Sequence, residues 1–145
     1  MKLKQVMLMV TIAVAFQLLA SAAVFAAPAP RISSLRVAAV GSTQNQTAYG
    51  TFYETIPANL YSTQHDHGGT QLYVLTEQYG YDTVSTSKLN GVACRLAQSQ
   101  QIKSGTTVVG FRYTWDCSGQ QQGQFVNTAT SVGNSQQWST WINIQ

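Results

Sequence analysis

Charge is scarce in this chain. Asp, Glu, Lys and Arg make up 9% of 145 residues, and no cluster of Lys or Arg exists that could track a phosphate backbone, which excludes the usual electrostatic footprint of nucleic-acid binding. The formal charge of +3 overstates even this weak basicity, since Lys2 and Lys4 contribute two of those charges. Polarity comes instead from neutral Gln, Asn, Ser and Thr, a surface chemistry suited to hydrogen bonding rather than to long-range steering.

Catalytic motifs are equally sparse. Histidine occurs twice, as His65 and His67 in one segment. No serine sits in G-x-S-x-G and no glycine-rich phosphate cradle leads into a helix. With five carboxylates in all, a glycosidase would have to bring two of them to one cleft; Glu54 and Glu77 are the candidates, and nothing in the sequence joins them. No residue is therefore assigned a catalytic role.

Long apolar runs are missing with one exception. Lys2 and Lys4 precede the run from Val6 to Ala23, and Val24-Phe25-Ala26 supplies small residues before Ala27. This is the layout of a secretory signal peptide over residues 1–26, cleaved before Ala27, and it predicts a secreted or periplasmic protein. An uncleaved anchor is the alternative, the run being nearly long enough to span a bilayer. Residues 27–145 then form a single domain that starts with a frayed Pro-rich segment. Cysteine is limited to Cys94 and Cys117. In an oxidising compartment they read as one disulfide, closing a loop of about 20 residues and stabilising by roughly 3 kcal/mol; two buried thiols are the alternative.

Helical periodicity is absent as well, with at most short turns at Leu60-Tyr61-Ser62 and Leu96 to Ile102. What is present is alternation. Segments Ser33 to Val40, Thr47 to Ile56, Leu72 to Gln78, Tyr81 to Leu89, Thr107 to Cys117, Gln124 to Val132 and Gln137 to Ile144 read as strands, and with the partner of the hairpin described next they predict about eight. Asn90-Gly91 predicts a type I′ hairpin with Leu89 facing Val92. A four-residue reversal at Ser104 to Thr107 would oppose Lys103 to Val108 and carry Cys94 to a place opposite Cys117, whereas a two-residue turn would shift that pair by two. In Thr107 to Cys117 one face holds Val109, Phe111, Tyr113, Trp115 and Cys117, and the other holds Arg112 and Asp116, read as a surface pair. The expected class is all-β: an antiparallel β-sandwich or small barrel with one disulfide.

Two groups of residues could carry function. In Thr63-Gln64-His65-Asp66-His67-Gly68-Gly69-Thr70, residues at i and i+2 of an extended segment face one side, so His65 and His67, with Asp66 between them, could hold zinc or copper. Such a site needs a further ligand from Glu54, Glu77 or Asp82; without one the segment is a polar loop. The second group is aromatic. Trp138 and Trp141 have opposite strand parity, so one faces the core and the other solvent, and whichever of Trp138 and Trp141 is exposed, with Tyr61, suits sugar recognition beside amide side chains.

The segments QHDHGGT, YVLTEQYGYDT and FRYTWDC, with the signal peptide and the length of the mature chain, resemble the YolA-like group of small exported bacterial proteins. That resemblance implies export and carries no catalytic residues with it. The run YTWDC is also similar to a segment of the aegerolysin lipid-binding β-sandwiches, which keeps membrane contact among the expectations. The resulting expectation is a non-enzymatic binding protein acting on glycan or surface components of the envelope or outside it. A secreted toxin or antimicrobial acting on a membrane or wall comes second, and a metal-dependent hydrolase built on His65 and His67 third.

Overall fold

In the computed structural model, which describes residues 27–145, the alternating segments become nine strands and one short helix. The order is β1 (Ser34–Ser42), α1 (Thr43–Tyr49), β2 (Tyr53–Thr55), β3 (Leu72–Tyr79), β4 (Asp82–Leu89), β5 (Val92–Ala93), β6 (Arg95–Ser104), β7 (Thr107–Asp116), β8 (Gly123–Ser131) and β9 (Gln137–Ile144). They form a five-stranded sheet ordered β2-β1-β3-β7-β6 and a four-stranded sheet ordered β5-β4-β8-β9. Every pairing between strands is antiparallel. The expected all-β class is met, as a sandwich of two separate sheets. The signal peptide expected over residues 1–26 lies outside the described residues.

Alternation explains why the sheets stack. Val40, Leu72, Val74, Tyr113 and Trp115 point inward from one sheet and meet Leu89, Phe125, Ile142 and Ile144 from the other. Removing such side chains from water contributes roughly 1.5–3 kcal/mol each, which makes this layer the main source of stability. Trp115 also places its Nε1–H 3.0 Å from the Thr76 hydroxyl, so the buried indole is satisfied.

The hairpins follow local chemistry. Asn90 and Gly91 have φ of 51° and 79°, and Leu89 pairs with Val92, as the type I′ turn requires. The β6–β7 hairpin keeps Lys103 opposite Val108 and closes one rung further, Ser104 opposite Thr107, so its turn is Gly105-Thr106. Irregularities between Ile102 and Lys103 and between Leu96 and Gln98 shift the register in opposite senses, because Val109 is the extra residue on β7 and Ala97 on β6. The two shifts offset each other. Arg95 again faces Asp116, and the disulfide Cys94–Cys117 forms with a Cα–Cα distance of 4.7 Å. It lies where the chain crosses from β5 in one sheet to β6 in the other.

Three segments differ from expectation. The strand expected from Thr47 to Ile56 starts as helix α1: the Ser42 hydroxyl accepts the Asn45 N–H, and Gly50 closes the helix in the left-handed conformation at φ 78°. Leu96 to Ile102 lies wholly in β6 rather than in a helical turn. Leu60 bonds back to Pro57, but Tyr61-Ser62 is extended, and Ser62 bridges in parallel to Asn143 at the edge of β9. That bridge carries the following loop across the end of the sandwich.

Candidate functional site

The histidine loop is tied to three distant chain segments. The Glu54 carboxylate, on the short edge strand β2, accepts the backbone N–H groups of Gln64 at 2.7 Å and His65 at 3.0 Å. It also lies 2.9 Å from Nε2 of His67. Burial acts to raise the Glu54 carboxyl, but those N–H groups and the His67 imidazole outweigh it and hold the group below its ordinary value. An ionised carboxylate only accepts, so His67 Nε2 carries the proton. On the other side of the ring, Nδ1 lies 3.1 Å from the Ser42 hydroxyl, which accepts the Asn45 N–H at 3.0 Å. Finally, the His67 N–H bonds the carbonyl of Gln145. Loop, helix cap, edge strand and chain end are thereby connected.

A serine, a histidine and a glutamate in hydrogen-bonded sequence have the composition of a nucleophilic triad. Here the hydroxyl meets Nδ1 and the carboxylate Nε2. Ser42 and His67 are 0% and 1% exposed, so in this arrangement no substrate reaches the hydroxyl. The network satisfies buried polar groups in a place where the backbone crosses from one element to the next.

His65 takes a different position. Its Nδ1 lies 2.8 Å from the Asn45 side-chain oxygen, and its ring stacks on Tyr49 with centroids 3.8 Å apart. Both imidazoles approach one Glu54 oxygen, His67 at 2.9 Å and His65 at 3.9 Å, so the i and i+2 spacing does turn both to one carboxylate. Asp66 is exposed and outside this group. Among the described residues, no three His, Cys, Asp or Glu side chains gather as a metal-holding group: both ring nitrogens of His67 and the Glu54 oxygens are occupied by protein hydrogen bonds. Glu77 and Asp82 are engaged elsewhere. Glu77 pairs with Arg36 and Arg112, and Asp82 accepts from the Tyr113 hydroxyl at 2.7 Å and the Gln78 amide at 2.9 Å. The surface pair expected between Arg112 and Asp116 is replaced by Arg112 with Glu77 and by Asp116 with Arg95 at 2.9 Å. Cross-strand partners sit directly opposite, closer than the next residue on the same face.

The aromatic residues divide as strand parity predicts. On β9, Ile142 and Ile144 are buried, which turns Trp138 toward the interior and Trp141 outward. Trp138 is half-buried, and its Nε1 is a buried donor without a partner. Trp141 stacks on Tyr61 with ring centroids 5.0 Å apart and an angle of 27° between planes; they are 40% and 54% exposed. Two features place Tyr61 there: its carbonyl accepts the Asn143 N–H at 2.9 Å, and Thr63 donates its N–H to the Asn143 carbonyl at 3.0 Å. Neutral hydrogen-bonding groups surround the pair. Asn143 faces Gln124 and Ser139 faces Thr128 on the same outer surface, and the Gln145 amide reaches Ser62 at 3.0 Å.

Ser42 and Asn45 were not legible as parts of the histidine network. The available clue was a Ser eight residues before a Gly, the spacing of a helix cap and stop, which hydrophobic periodicity could not reveal in so short a helix. A family model described as "Domain of unknown function (DUF4879)" matches residues 27–144, nearly all of the described chain. No curated protein matches the chain.

Proposed function

The chain belongs to the DUF4879 family, a domain of unknown function, and from that premise we propose that it is an exported, non-enzymatic glycan-binding protein of the cell envelope or its surroundings. The observation that carries the reading is the Tyr61–Trp141 pair: two stacked, solvent-facing rings amid neutral amide and hydroxyl groups. A pyranose with equatorial substituents has apolar faces of C–H bonds and a rim of hydroxyls. The rings would cover the former, and Asn143, Gln124 and Gln145 would bond the latter. Because each ring is braced by the other, little side-chain entropy is lost on binding. The disulfide fits an oxidising, extracytoplasmic compartment, and the layout of residues 1–26 and the resemblance to YolA-like exported proteins support export.

The test is a titration with chitotriose, a neutral β-1,4-linked N-acetylglucosamine trimer, read by tryptophan fluorescence. Trp115 is buried at 3% exposure and Trp138 is half-buried on the inward face of β9, so Trp141, on the outer face, dominates the response to a ligand bound there. The expected result is a saturable change, no release of reducing ends, and loss of the change in Tyr61→Ala, which removes the stacked partner and keeps the Trp141 indole as reporter. Dye leakage from lipid vesicles with no response to chitotriose or to isolated envelope glycan would overturn the reading in favour of a membrane-acting protein.

A further inference from the structure

We infer that the outer face of the five-stranded sheet carries a second pyranose platform, built from Tyr53, Tyr73, Thr114 and Gln98, so that one domain presents sugar-binding rings on two opposed faces. The inference rests on the glycan reading above and assigns it a site that no sequence pattern suggested.

Register brings these residues together. Gly41 faces Tyr53 on one side and Tyr73 on the other, while Leu75 faces Thr114 and Thr114 faces Gln98. Neighbours Leu72, Val74, Tyr113 and Trp115 are core residues, so Tyr73 and Thr114 lie on the opposite, outer side. The glycine is what seats the rings. A Cβ at Gly41 would stand 2.5 Å from Cδ1 and Cε1 of Tyr53 and 2.7 Å from Cε1 of Phe52, a separation real atoms do not tolerate, so both rings rest against bare backbone. Phe52 then meets Tyr53 edge-on at 4.9 Å and Tyr73 at 6.0 Å. Tyr53 is held by these contacts and is still 43% exposed, a preorganised aromatic surface of the kind that binds with little loss of rotamer freedom.

Beside it the sheet is indented. The extra residue Ala97 bends β6, and Tyr53, Tyr73, Ala97, Gln98 and Thr114 border a depression of about 290 Å³, near the lower limit of about 300 Å³ for small-molecule sites. One sugar ring laid on Tyr53 would meet the Thr114 hydroxyl and the Gln98 amide at its rim. Burial, and then the neighbouring Tyr73, push the Tyr53 phenol above its ordinary value, so it remains neutral and can donate or accept. The charges on this face are engaged with one another, Arg95 with Asp116 and Glu77 with Arg36 and Arg112, which favours a neutral sugar over an acidic one. Trp141 looks out from the other sheet. A single copy could therefore join two glycan strands, the second contact being made at high effective concentration.

Amide-resolved NMR of the mature protein titrated with chitotriose separates the two sites. The expected result is a shift of the Trp141 indole N–H and, independently, of the Gln98 and Thr114 amides. Tyr61→Ala, which keeps the Trp141 indole as reporter, should weaken the first and leave the second, while Tyr53→Ala should weaken the second roughly tenfold or more. Gln98→Ala alters only an exposed side chain, so it should weaken the same shifts without any question of folding. Shifts at Trp141 alone would overturn the second platform and leave the glycan reading standing. Shifts at Gln98 and Thr114 alone would uphold the platform and remove Trp141 from the site. No shift at either place would overturn both.

Discussion

Glu54→Gln is the most informative single change. The carboxylate serves three donors, the N–H groups of Gln64 and His65 and Nε2–H of His67. Glutamine keeps the length and offers one acceptor oxygen. If that oxygen faces His65 and His67, the new NH₂ group confronts the Gln64 N–H; the reverse orientation sets it against the other two. At minimum one charge-assisted bond is lost, about 1.5–3 kcal/mol, and a partly buried donor is left without an acceptor, adding about 1 kcal/mol. We expect a destabilisation of about 3 kcal/mol, which for a domain of about 120 residues lowers Tm by about 12 °C. Thermal unfolding followed by circular dichroism at pH 7 measures it, and a shift below about 4 °C would refute the anchoring role of Glu54. The pH dependence is a second check. Despite burial, which acts to raise it, the Glu54 pKa is lowered by its donors; its contribution is therefore present above the unfolded value of about 4.3 and is lost as pH falls through the lower folded value. The gap between wild type and Glu54→Gln should close below about pH 4. A gap that widened on acidification would contradict the hydrogen-bond scheme.

Two further outcomes follow from the packing. Replacing both Cys94 and Cys117 by Ser opens a loop spanning a sequence separation of 23 and should cost about 3 kcal/mol by denaturant unfolding; a cost below about 0.5 kcal/mol would show that the crossover between the sheets holds without it. Gly110→Ala would place a Cβ 2.1 Å from the Gln78 carbonyl oxygen and 2.9 Å from the Tyr79 Cα. Because both obstacles are backbone, β3 and β7 must separate, at a cost of about 1–3 kcal/mol, and an unchanged unfolding midpoint would refute the close approach.

Some of the structure was legible in short segments of sequence. Asn90-Gly91 specified its turn because few other residues accept positive φ at both central positions. The parity of Tyr113, Trp115 and Cys117, and of Trp138 against Trp141, was readable because strand side chains alternate regardless of what lies across from them. The pairing of Cys94 with Cys117 was reached correctly although neither bulge was visible, since Val109 and Ala97 displace the register in opposite directions. Helix α1 was not legible: it is 7 residues long, too short for an apolar period, and depends on its caps.

The histidine loop and the aromatic surfaces mark the boundary between the two kinds of information. Sequence by itself determined that His65 and His67 would face one side, that the cysteines would pair, and that one tryptophan of β9 would face solvent, because each depends on local backbone geometry and on the alternation of side chains. Only the tertiary structure decided that Glu54 would fill its lone pairs with the N–H groups of Gln64 and His65, that Tyr61 would cross to Trp141, and that Gly41 would let Tyr53 lie beside Tyr73. Those contacts depend on which strands become neighbours, a choice made by burying apolar faces across the whole chain, and no short stretch of sequence contains it.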